Sequence, residues 1–376
     1  MMIQSGSSGK TYDTAIIGGG VLGLWAARHA IKRGEKVVLV EKRHIGAGAS
    51  GGFLGALMPH MPDNWNAKKQ FQYDGLSSIE NAIAALKDDT GVDCGFHRCG
   101  RFMPLTHEKI LPQIERRLEG ASMHWGEGFE MTLNNCSGEI DRFGEWLISE
   151  IAAHGIQYDT LSARVNPRAY LAALEEFVRP RAEMLEGVEA IGINAPKGNR
   201  AGEIVLANDD KISSGRIIVA NGWEAYPLLQ PSMGGLNQGK SIGRGVKGQA
   251  VLVEFEHGDD LPIVYHDGAY VVPHAGNRVA IGSTSLNEWQ GQPDEFDPDD
   301  MTFYEKAIAL VPVLKNAPSV DRWAGVRPRN TIDGRGTSPW FGPVPDHENL
   351  IALIGGFKIT LGVAHLDVTV DAGFMC

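Results

Sequence analysis

Cysteine is scarce in this sequence, and its scarcity bears on the compartment and on the type of fold. The 376 residues include only 4 cysteines, at positions 94, 99, 136 and 376. That number is too small for a disulfide-stabilised scaffold in a chain of this length, and a reducing, cytoplasmic environment fits it best. Cys94 and Cys99 flank His97, but no second ligand pair follows, and a zinc site usually needs four ligands. We therefore predict no metal site.

Long apolar runs and an excess of basic residues are also missing. No apolar run approaches the ~18 residues that a membrane-spanning helix needs. Lys and Arg number 35 against 46 Asp and Glu, which gives a net charge of −11 and argues against a nucleic-acid partner. Residues 1–11 are polar and lack the charged start and apolar core of a secretory signal. We expect these residues to form a flexible leader.

Glycine, in contrast, is abundant. It accounts for 47 of the 376 residues, about 12.5% against a usual ~7%. The glycines have no three-residue period, which excludes a collagen-like chain, and the 43% hydrophobic and 22% charged residues are ordinary globular values. An excess of glycine indicates many tight turns and places where the backbone must come close to another group.

The first organised segment of the chain predicts a strand, a glycine-rich loop, a helix and a second strand within about 30 residues. Residues 12–17 form a short apolar run that is typical of a buried strand. Residues 21–33 have helical periodicity and are followed by Gly34, a residue that commonly ends helices. Residues 36–40 form the second apolar run, and Glu41 stands at its end. This order is that of a dinucleotide-binding unit.

Gly18, Gly20 and Gly23 give the loop the spacing G-x-G-x-x-G. The first glycine permits the tight turn, the second lets the backbone approach a pyrophosphate, and the third lets the helix pack close to the strand. The helix N-terminus then offers N–H groups and a partial positive charge to phosphates. Glu41 can accept hydrogen bonds from ribose hydroxyls and would repel a 2′-phosphate. The loop therefore predicts NAD or FAD rather than NADP, and it does not distinguish between those two.

The rest of the chain is a mixture of helices and short strands. Periodicity predicts further helices at 75–90, 167–179 and 301–311 and strands at 188–194, 202–208 and 212–220. Between 249 and 285 the pattern is one of short strands broken by turns, which predicts an antiparallel sheet.

Six segments spread over most of the chain carry a family resemblance. They are 46–56, rich in small residues, 164–167, 217–223, 270–273 with 279–284, 324–328 followed by 333–334, and 354–360. In this order, behind the glycine loop, they resemble the D-amino acid oxidase and glycine oxidase family of FAD-dependent oxidoreductases. The resemblance implies an α/β fold with an α+β part, in which a Rossmann-like FAD-binding domain adjoins a substrate domain with a mostly antiparallel sheet.

We expect both domains to be discontinuous in sequence. The FAD-binding domain should comprise 12–90, 155–225 and 325–376, and the substrate domain 91–154 and 226–324. Related sarcosine oxidases attach FAD to a cysteine near the segment 327–333, where this sequence has none, so the cofactor should be non-covalent. The expected cofactor-binding residues are Gly18, Gly20, Val21, Leu22, Gly23, Glu41, Lys42, Ala49, Ser50, Gly52, Leu54, Val188, Ala220, Gly222, Trp223, Arg327, Gly355, Gly356, Phe357, Lys358, Ile359 and Thr360.

Four residues are candidates for the catalytic site. In the glycine oxidase branch the arginine at the position of Arg327 binds the substrate carboxylate, a task that suits a planar guanidinium; Arg329 competes for the same role. Lys358 matches a basic residue near the flavin, where a cation would stabilise negative charge on the reduced ring. Tyr270, on the predicted substrate sheet, and His60, in a Met- and Pro-containing loop, are candidates to line the pocket.

The resemblance implies oxidation of a small amino acid or secondary amine. A hydride passes from the carbon next to nitrogen to flavin N5, the imine hydrolyses, and O2 or another acceptor reoxidises the flavin. The related sarcosine oxidases carry a lysine that aids oxygen reduction, and Ala280 stands at the matching position, which leaves oxidase and dehydrogenase both open. Substrate identity, stereochemistry and oligomeric state also stay open.

Three alternatives remain. The first is a 2-hydroxy-acid dehydrogenase that uses the same arginine. The second is an amine oxidase acting on a modified transfer-RNA nucleoside, which would need a local basic groove formed by Lys68 and Lys69 or by Arg116 and Arg117. The third is a flavin-binding protein without turnover.

Overall fold

The computed structural model describes residues 10–134, 146–147, 150–334 and 337–356. The predictions for Phe357, Lys358, Ile359 and Thr360 lie outside these residues, as does most of the expected leader. None of the described helices is both long enough and apolar enough to cross a bilayer.

The described part of the chain contains both α-helices and β-strands, and several runs of strands follow one another with no α-helix between them. The helices are α1 (Val21–Lys32), α2 (Ala67–Thr90), α3 (Leu111–His124), α4 (Pro167–Val178), α5 (Ala225–Met233) and α6 (Thr302–Leu310). The strands are β1 (Thr11–Ile17), β2 (Val37–Glu41), β3 (Ala56–Leu57), β4 (Arg101–Pro104), β5 (Met131–Asn134), β6 (Ile156–Asp159), β7 (Ala163–Arg164), β8 (Glu183–Glu186), β9 (Ala190–Asn194), β10 (Gly202–Leu206), β11 (Lys211–Val219), β12 (Gly243–Glu254), β13 (Ile263–His266), β14 (Ala269–His274), β15 (Arg278–Gly282), β16 (Ser319–Asn330), β17 (Trp340–Val344) and β18 (His347–Ile354).

The first sheet has a parallel centre. Its order is β17-β18-β11-β1-β2-β8, with β10 and β9 added at β11, and β1 pairs in parallel with both β11 and β2. Helices α1 and α4 cover one face and α5 the other, so that the central strands β1, β2 and β11 are buried on both sides. A buried hydrogen bond of 2.6 Å from Trp25 Nε1 to the Tyr170 hydroxyl joins α1 to α4. Parallel strands with helices on both faces make this the dinucleotide-binding half of the molecule.

The second sheet is mostly antiparallel, with the order β16-β12-β15-β14-β13-β4-β6-β5. Only the pairing of β13 with β4 is parallel among its described strands. Helix α6 packs on one face. The other face presents Ala250, Val272 and Ala280 to Phe53 and Met58, which come from the segment after β2. The predicted fold class, an α/β unit with a mostly antiparallel second sheet, is confirmed.

Three elements cross the predicted domain limits. Helix α5 lies almost wholly within 226–324 but packs on the first sheet. Strand β6 lies within 155–225 but pairs with β4 and β5 of the antiparallel sheet, and β16 spans position 325. The division of the chain into two domains stays a prediction. Helix α2 begins eight residues before the predicted start, because the Asn66 side chain accepts the N–H of Lys69 and caps it there.

Candidate active site

The glycine loop between β1 and α1 is packed so tightly that side chains are excluded at two positions. Gly18 has φ +111, and a Cβ there would lie 2.6 Å from Asn221 Cα. A Cβ on Gly23 would lie 1.9 Å from the carbonyl oxygen of Gly18, so the first turn of α1 rests directly on the loop. Close packing of this kind keeps the helix N-terminus at the carboxyl end of β1, where a phosphate can reach it.

Ser50 reaches the same helix N-terminus from the small-residue stretch that follows β2. Its hydroxyl accepts the N–H of Val21 at 3.1 Å, and a Cβ on Gly20 would lie 3.1 Å from this hydroxyl. The Gly20 side of the loop therefore faces a hydroxyl and the first N–H groups of α1. This set of donors around an open turn fits a pyrophosphate.

Glu41 ends β2 with both carboxylate oxygens held by backbone N–H groups. Gly19 donates to Oε2 at 2.7 Å and Arg43 to Oε1 at 2.9 Å. Next to it, the ammonium of Lys42 lies 3.0 Å from Glu189 and 3.1 Å from Glu224. These contacts, the hydrogen bond to Glu189 first among them, raise the pKa of Lys42. The carboxylate of Glu41 is thus fixed at the position where a ribose would lie.

A large cavity of about 490 Å³ follows the carboxyl ends of β1, β2 and β11. Its position is that of the cofactor cleft in doubly wound folds. Gly23 lies beneath the loop rather than on the cavity wall, and Gly355 (φ +72) packs against the side chain of Asn330. The predicted cofactor residues that line this cavity are Gly18, Gly20, Val21, Leu22, Glu41, Lys42, Ala49, Ser50, Val188, Ala220, Gly222, Trp223 and Gly356.

A small cavity of about 170 Å³ adjoins the large one. The two share Val21, Ala49, Ser50, Pro328 and Gly356 in their linings, so they are parts of one cleft. The small cavity lies against the antiparallel sheet, which contributes Gly248, Tyr270, Ser283, Trp323 and Arg327, and Gly52 and Leu54 of the predicted cofactor residues also line it.

Arg327 brings the charge of its guanidinium into the small cavity. Its Nη1 donates to Ser283 Oγ at 3.1 Å and its Nη2 to the Thr284 carbonyl at 2.6 Å. A Cβ on Gly248 would lie 2.8 Å from Nη2, so the glycine makes room for the planar group. Burial lowers the pKa of Arg327 to about 10, which means that the surroundings disfavour its charge. An anionic ligand beside it would offset that cost.

Tyr270 lies next to this arginine on the wall of the small cavity. Burial raises the pKa of Tyr270 to about 12, with a smaller contribution from Tyr265, whose ring centroid is 4.7 Å away. The phenol is therefore neutral at physiological pH and can donate a hydrogen bond to a ligand held at Arg327.

His60 and Arg329 are placed differently. Neither belongs to the described lining of the two cavities. The backbone N–H of His60 donates to Gln72 Oε1 at 2.6 Å, and Arg329 Nη1 lies 3.4 Å from Asn287 Oδ1. The guanidinium of Arg327, not that of Arg329, is the one that the fold brings to the cleft.

Sequence reasoning did not name Ser283, Gly248 or Trp323 as site residues, although Ser283 lies in the segment 279–284 that carries part of the resemblance. Trp323 and Arg327 are four residues apart on β16 and point to one face, so strand alternation from Arg327 would have found the tryptophan. Ser283 and Gly248 both contact the guanidinium of Arg327, which is more than 40 residues away in sequence. No local sequence pattern predicts a contact over that distance.

The comparisons with known proteins agree with this geometry. A family model described as FAD dependent oxidoreductase matches residues 13–366. The glycine oxidase of Bacillus subtilis (strain 168) is 27% identical over 362 residues, which cover 93% of this chain and 89% of the relative.

Solved structures share the fold as well. The glycine oxidase of Geobacillus kaustophilus has a TM-score of 0.82 at 23% identity and covers 96% of this chain and 94% of its own. The iminodiacetate oxidase of Chelativorans sp. BNC1 has a TM-score of 0.78 at 19% identity, with 95% of each chain covered.

These matches settle the cofactor that the glycine loop left open. The excluded side chains at Gly18 and Gly23, the donors at the start of α1 and the two adjoining cavities fit FAD. The predicted resemblance to the D-amino acid oxidase and glycine oxidase family is confirmed, and so is an FAD-dependent enzyme of the amine and amino-acid oxidoreductase class. The chain belongs to the family of FAD-dependent oxidoreductases.

Proposed function

We propose that this protein oxidises a small amino acid or secondary amine that carries a carboxylate, with non-covalently bound FAD as the immediate hydride acceptor. The observation that carries the proposal is the half-buried guanidinium of Arg327 in a small cavity continuous with the cofactor cleft. The resulting imine hydrolyses, and O2 or another acceptor takes the electrons. The relatives named glycine oxidase and iminodiacetate oxidase support this substrate class.

The residues of the small cavity have separate tasks in this proposal. Arg327 binds the carboxylate through two parallel hydrogen bonds, and the neutral phenol of Tyr270 adds a third donor. Phe53, Leu54 and Met58 form an apolar wall that excludes water from the reacting carbon. FAD supplies the redox chemistry, so the protein has only to orient the Cα–H bond toward it.

A general base is not needed for this reaction. Arg327 is the one ionised side chain in the described lining of the small cavity, which contains no Asp, Glu, His or Lys. An amine that enters as the free base can lose hydride without proton transfer to the protein. We propose this route, in which the pH dependence of turnover reflects the substrate amine.

The alternatives have less support. A basic groove for transfer RNA would be formed by Lys68 and Lys69 or by Arg116 and Arg117. One member of each pair is already engaged, because Lys69 donates to the carbonyl of Asp63 and the Arg117 guanidinium approaches the same aspartate. A 2-hydroxy acid could use Arg327 equally well, so the dehydrogenase alternative differs only in having oxygen in place of nitrogen on the reacting carbon.

Cys94 and Cys99 are buried free thiols, which suits the cytoplasmic location that we propose.

Anaerobic mixing of the FAD-loaded protein with a panel of amino acids, N-alkyl amino acids and 2-hydroxy acids tests the proposal. We expect amino acids or secondary amines with one carboxylate to bleach the flavin band at roughly 450 nm, and the corresponding amines without a carboxylate to leave it unchanged. Bleaching by hydroxy acids alone would establish the dehydrogenase alternative, and bleaching by no member of the panel would refute the proposed substrate class.

Tyr270 provides a pH test of the same site. Because its pKa lies near 12 instead of 10, the phenol should stay protonated from pH 7 to 10, and its contribution to ligand binding should be lost only as the pH rises through about 12. We expect Tyr270→Phe to weaken the binding of a carboxylate inhibitor about tenfold. The ratio of its dissociation constant to that of the unaltered protein should stay constant across pH 7–10. If the two constants converge toward pH 10, the phenol ionises in that range and the assignment is wrong.

A further inference from the structure

His274 is a buried histidine that the proposed chemistry does not use. It ends β14, is 5% exposed, and follows Tyr270 by four residues, so both side chains point to the face of the sheet that meets the cofactor half. Unlike Tyr270, it does not belong to the lining of either cavity. A segment of backbone lies between the imidazole and the small cavity.

That segment is 53–55, and His274 holds it through two carbonyl groups. The imidazole Nε2 lies 3.0 Å from the Phe53 oxygen and 3.2 Å from the Leu54 oxygen. Since both partners are acceptors, Nε2 carries the proton and the ring is the Nε2–H tautomer. Burial, with a smaller effect of the Arg164 charge, lowers the pKa of His274 to about 4, so the ring is neutral near pH 7.

The orientation of the two carbonyls also determines the direction of the N–H groups in the same two peptide units. In a planar trans peptide the C=O and the following N–H point in opposite directions. With the carbonyls of Phe53 and Leu54 turned toward His274, the N–H groups of Leu54 and Gly55 point away from it. Both residues line the small cavity, so these N–H groups are directed to its side of the segment.

The far end of the segment is fixed independently. Val165 donates its N–H to the Gly55 carbonyl at 3.0 Å, and a Cβ on Gly55, which has φ +55, would lie 1.8 Å from the Val165 oxygen. Within the described part of the chain, neither N–H donates to a protein acceptor. Two backbone donors that line a cleft without a protein acceptor are available to a ligand that accepts from them.

We propose that His274 is a positioning residue that turns the N–H groups of Leu54 and Gly55 into the cleft as hydrogen-bond donors for the ring system of bound FAD. The isoalloxazine has nitrogen and carbonyl acceptors along one edge, and donors directed at that edge tune its electronic state. His274 touches neither the cofactor nor the substrate and acts only through the backbone that it orients. This inference rests on FAD binding and not on the proposed substrate, so it is tested without turnover.

The experiment compares FAD affinity and the absorption spectrum of bound FAD in three variants. His274→Phe keeps the ring volume and removes the donor, and we expect the dissociation constant of FAD to rise about tenfold and the flavin bands to move toward those of free FAD. His274→Gln can place an amide N–H near the position of Nε2, so its dissociation constant for FAD should stay within about twofold of that of the unaltered protein. The matched control is His257→Phe, because His257 also contacts backbone carbonyls, those of Gly258 and Arg278, and is not among the described lining residues of either cavity.

Three outcomes would overturn the inference: a Phe variant with unaltered spectrum and affinity, a Gln variant as impaired as the Phe variant, or the same changes in His257→Phe. If His274→Phe does not fold, His274→Asn replaces it in the comparison with His274→Gln. The asparagine amide is too short to reach the two carbonyls, so the spectrum should shift in the Asn variant and not in the Gln variant. Equal spectra in these two polar variants would refute the role.

Discussion

Arg327→Met is expected to weaken the binding of carboxylate ligands by at least about 100-fold while FAD stays bound. A guanidinium and a carboxylate share two charge-assisted hydrogen bonds, and each such bond contributes about 1.5–3 kcal/mol. Methionine retains much of the aliphatic volume and none of the charge. Titration of the FAD-loaded protein with a small carboxylate inhibitor, followed through the flavin spectrum, measures the loss directly and does not depend on which substrate is turned over.

Arg329→Met is the matched control, since it makes the same change two residues along the same strand. Arg329 contacts Asn287 and does not line the described cavities, so the control should change the inhibitor affinity by less than about threefold. The inhibitor affinity of Arg327→Lys should fall between those of Arg327→Met and Arg329→Met, because an ammonium keeps the charge but cannot make the bidentate contact. A larger loss of inhibitor affinity in the Arg329 variant than in the Arg327 variant would mean that Arg329 binds the carboxylate.

The cofactor half of the cleft could be predicted from sequence because its constraints are local. Gly18, Gly20 and Gly23 lie within six residues, and the strand and helix that flank them have strong periodicity. Glu41 follows one strand later. Each of these residues acts within a single β-α-β unit, and for that reason the spacing alone carries the information.

The substrate half could be predicted only in part, because its contacts join distant segments. The pairing of His274 with Phe53 spans 221 residues, and the support of Arg327 by Ser283 spans 44. Strands β4 to β6 were missed as well, since each has four residues, too few to show a period. His60 was proposed from its residue type alone, and the fold leaves it outside the described cavity walls.

Gly23→Ala is expected to reduce FAD affinity by about 100-fold or more, although alanine is the better helix former by about 1 kcal/mol. The added Cβ would meet the Gly18 oxygen at 1.9 Å, and real contacts of this type do not fall below 3.0 Å. Helix α1 must therefore move by about 1 Å or the loop must open, since packed interiors leave no spare volume. Either change takes the N–H groups at the helix start away from the pyrophosphate, while the rest of the first sheet is untouched.

Equilibrium titration with FAD, together with thermal unfolding in its presence and absence, separates the two effects of this substitution. The strain should lower the unfolding temperature of the FAD-free protein by several degrees for about 1–3 kcal/mol of destabilisation, and the stabilisation that added FAD gives should nearly vanish. Gly235→Ala is the control, because Gly235 is exposed and a Cβ added there would have no neighbouring atom within 4 Å. An alanine at position 23 that binds FAD within about threefold of the unaltered protein would mean that the helix N-terminus does not hold the pyrophosphate, since a displaced helix start cannot keep its hydrogen bonds to a fixed phosphate.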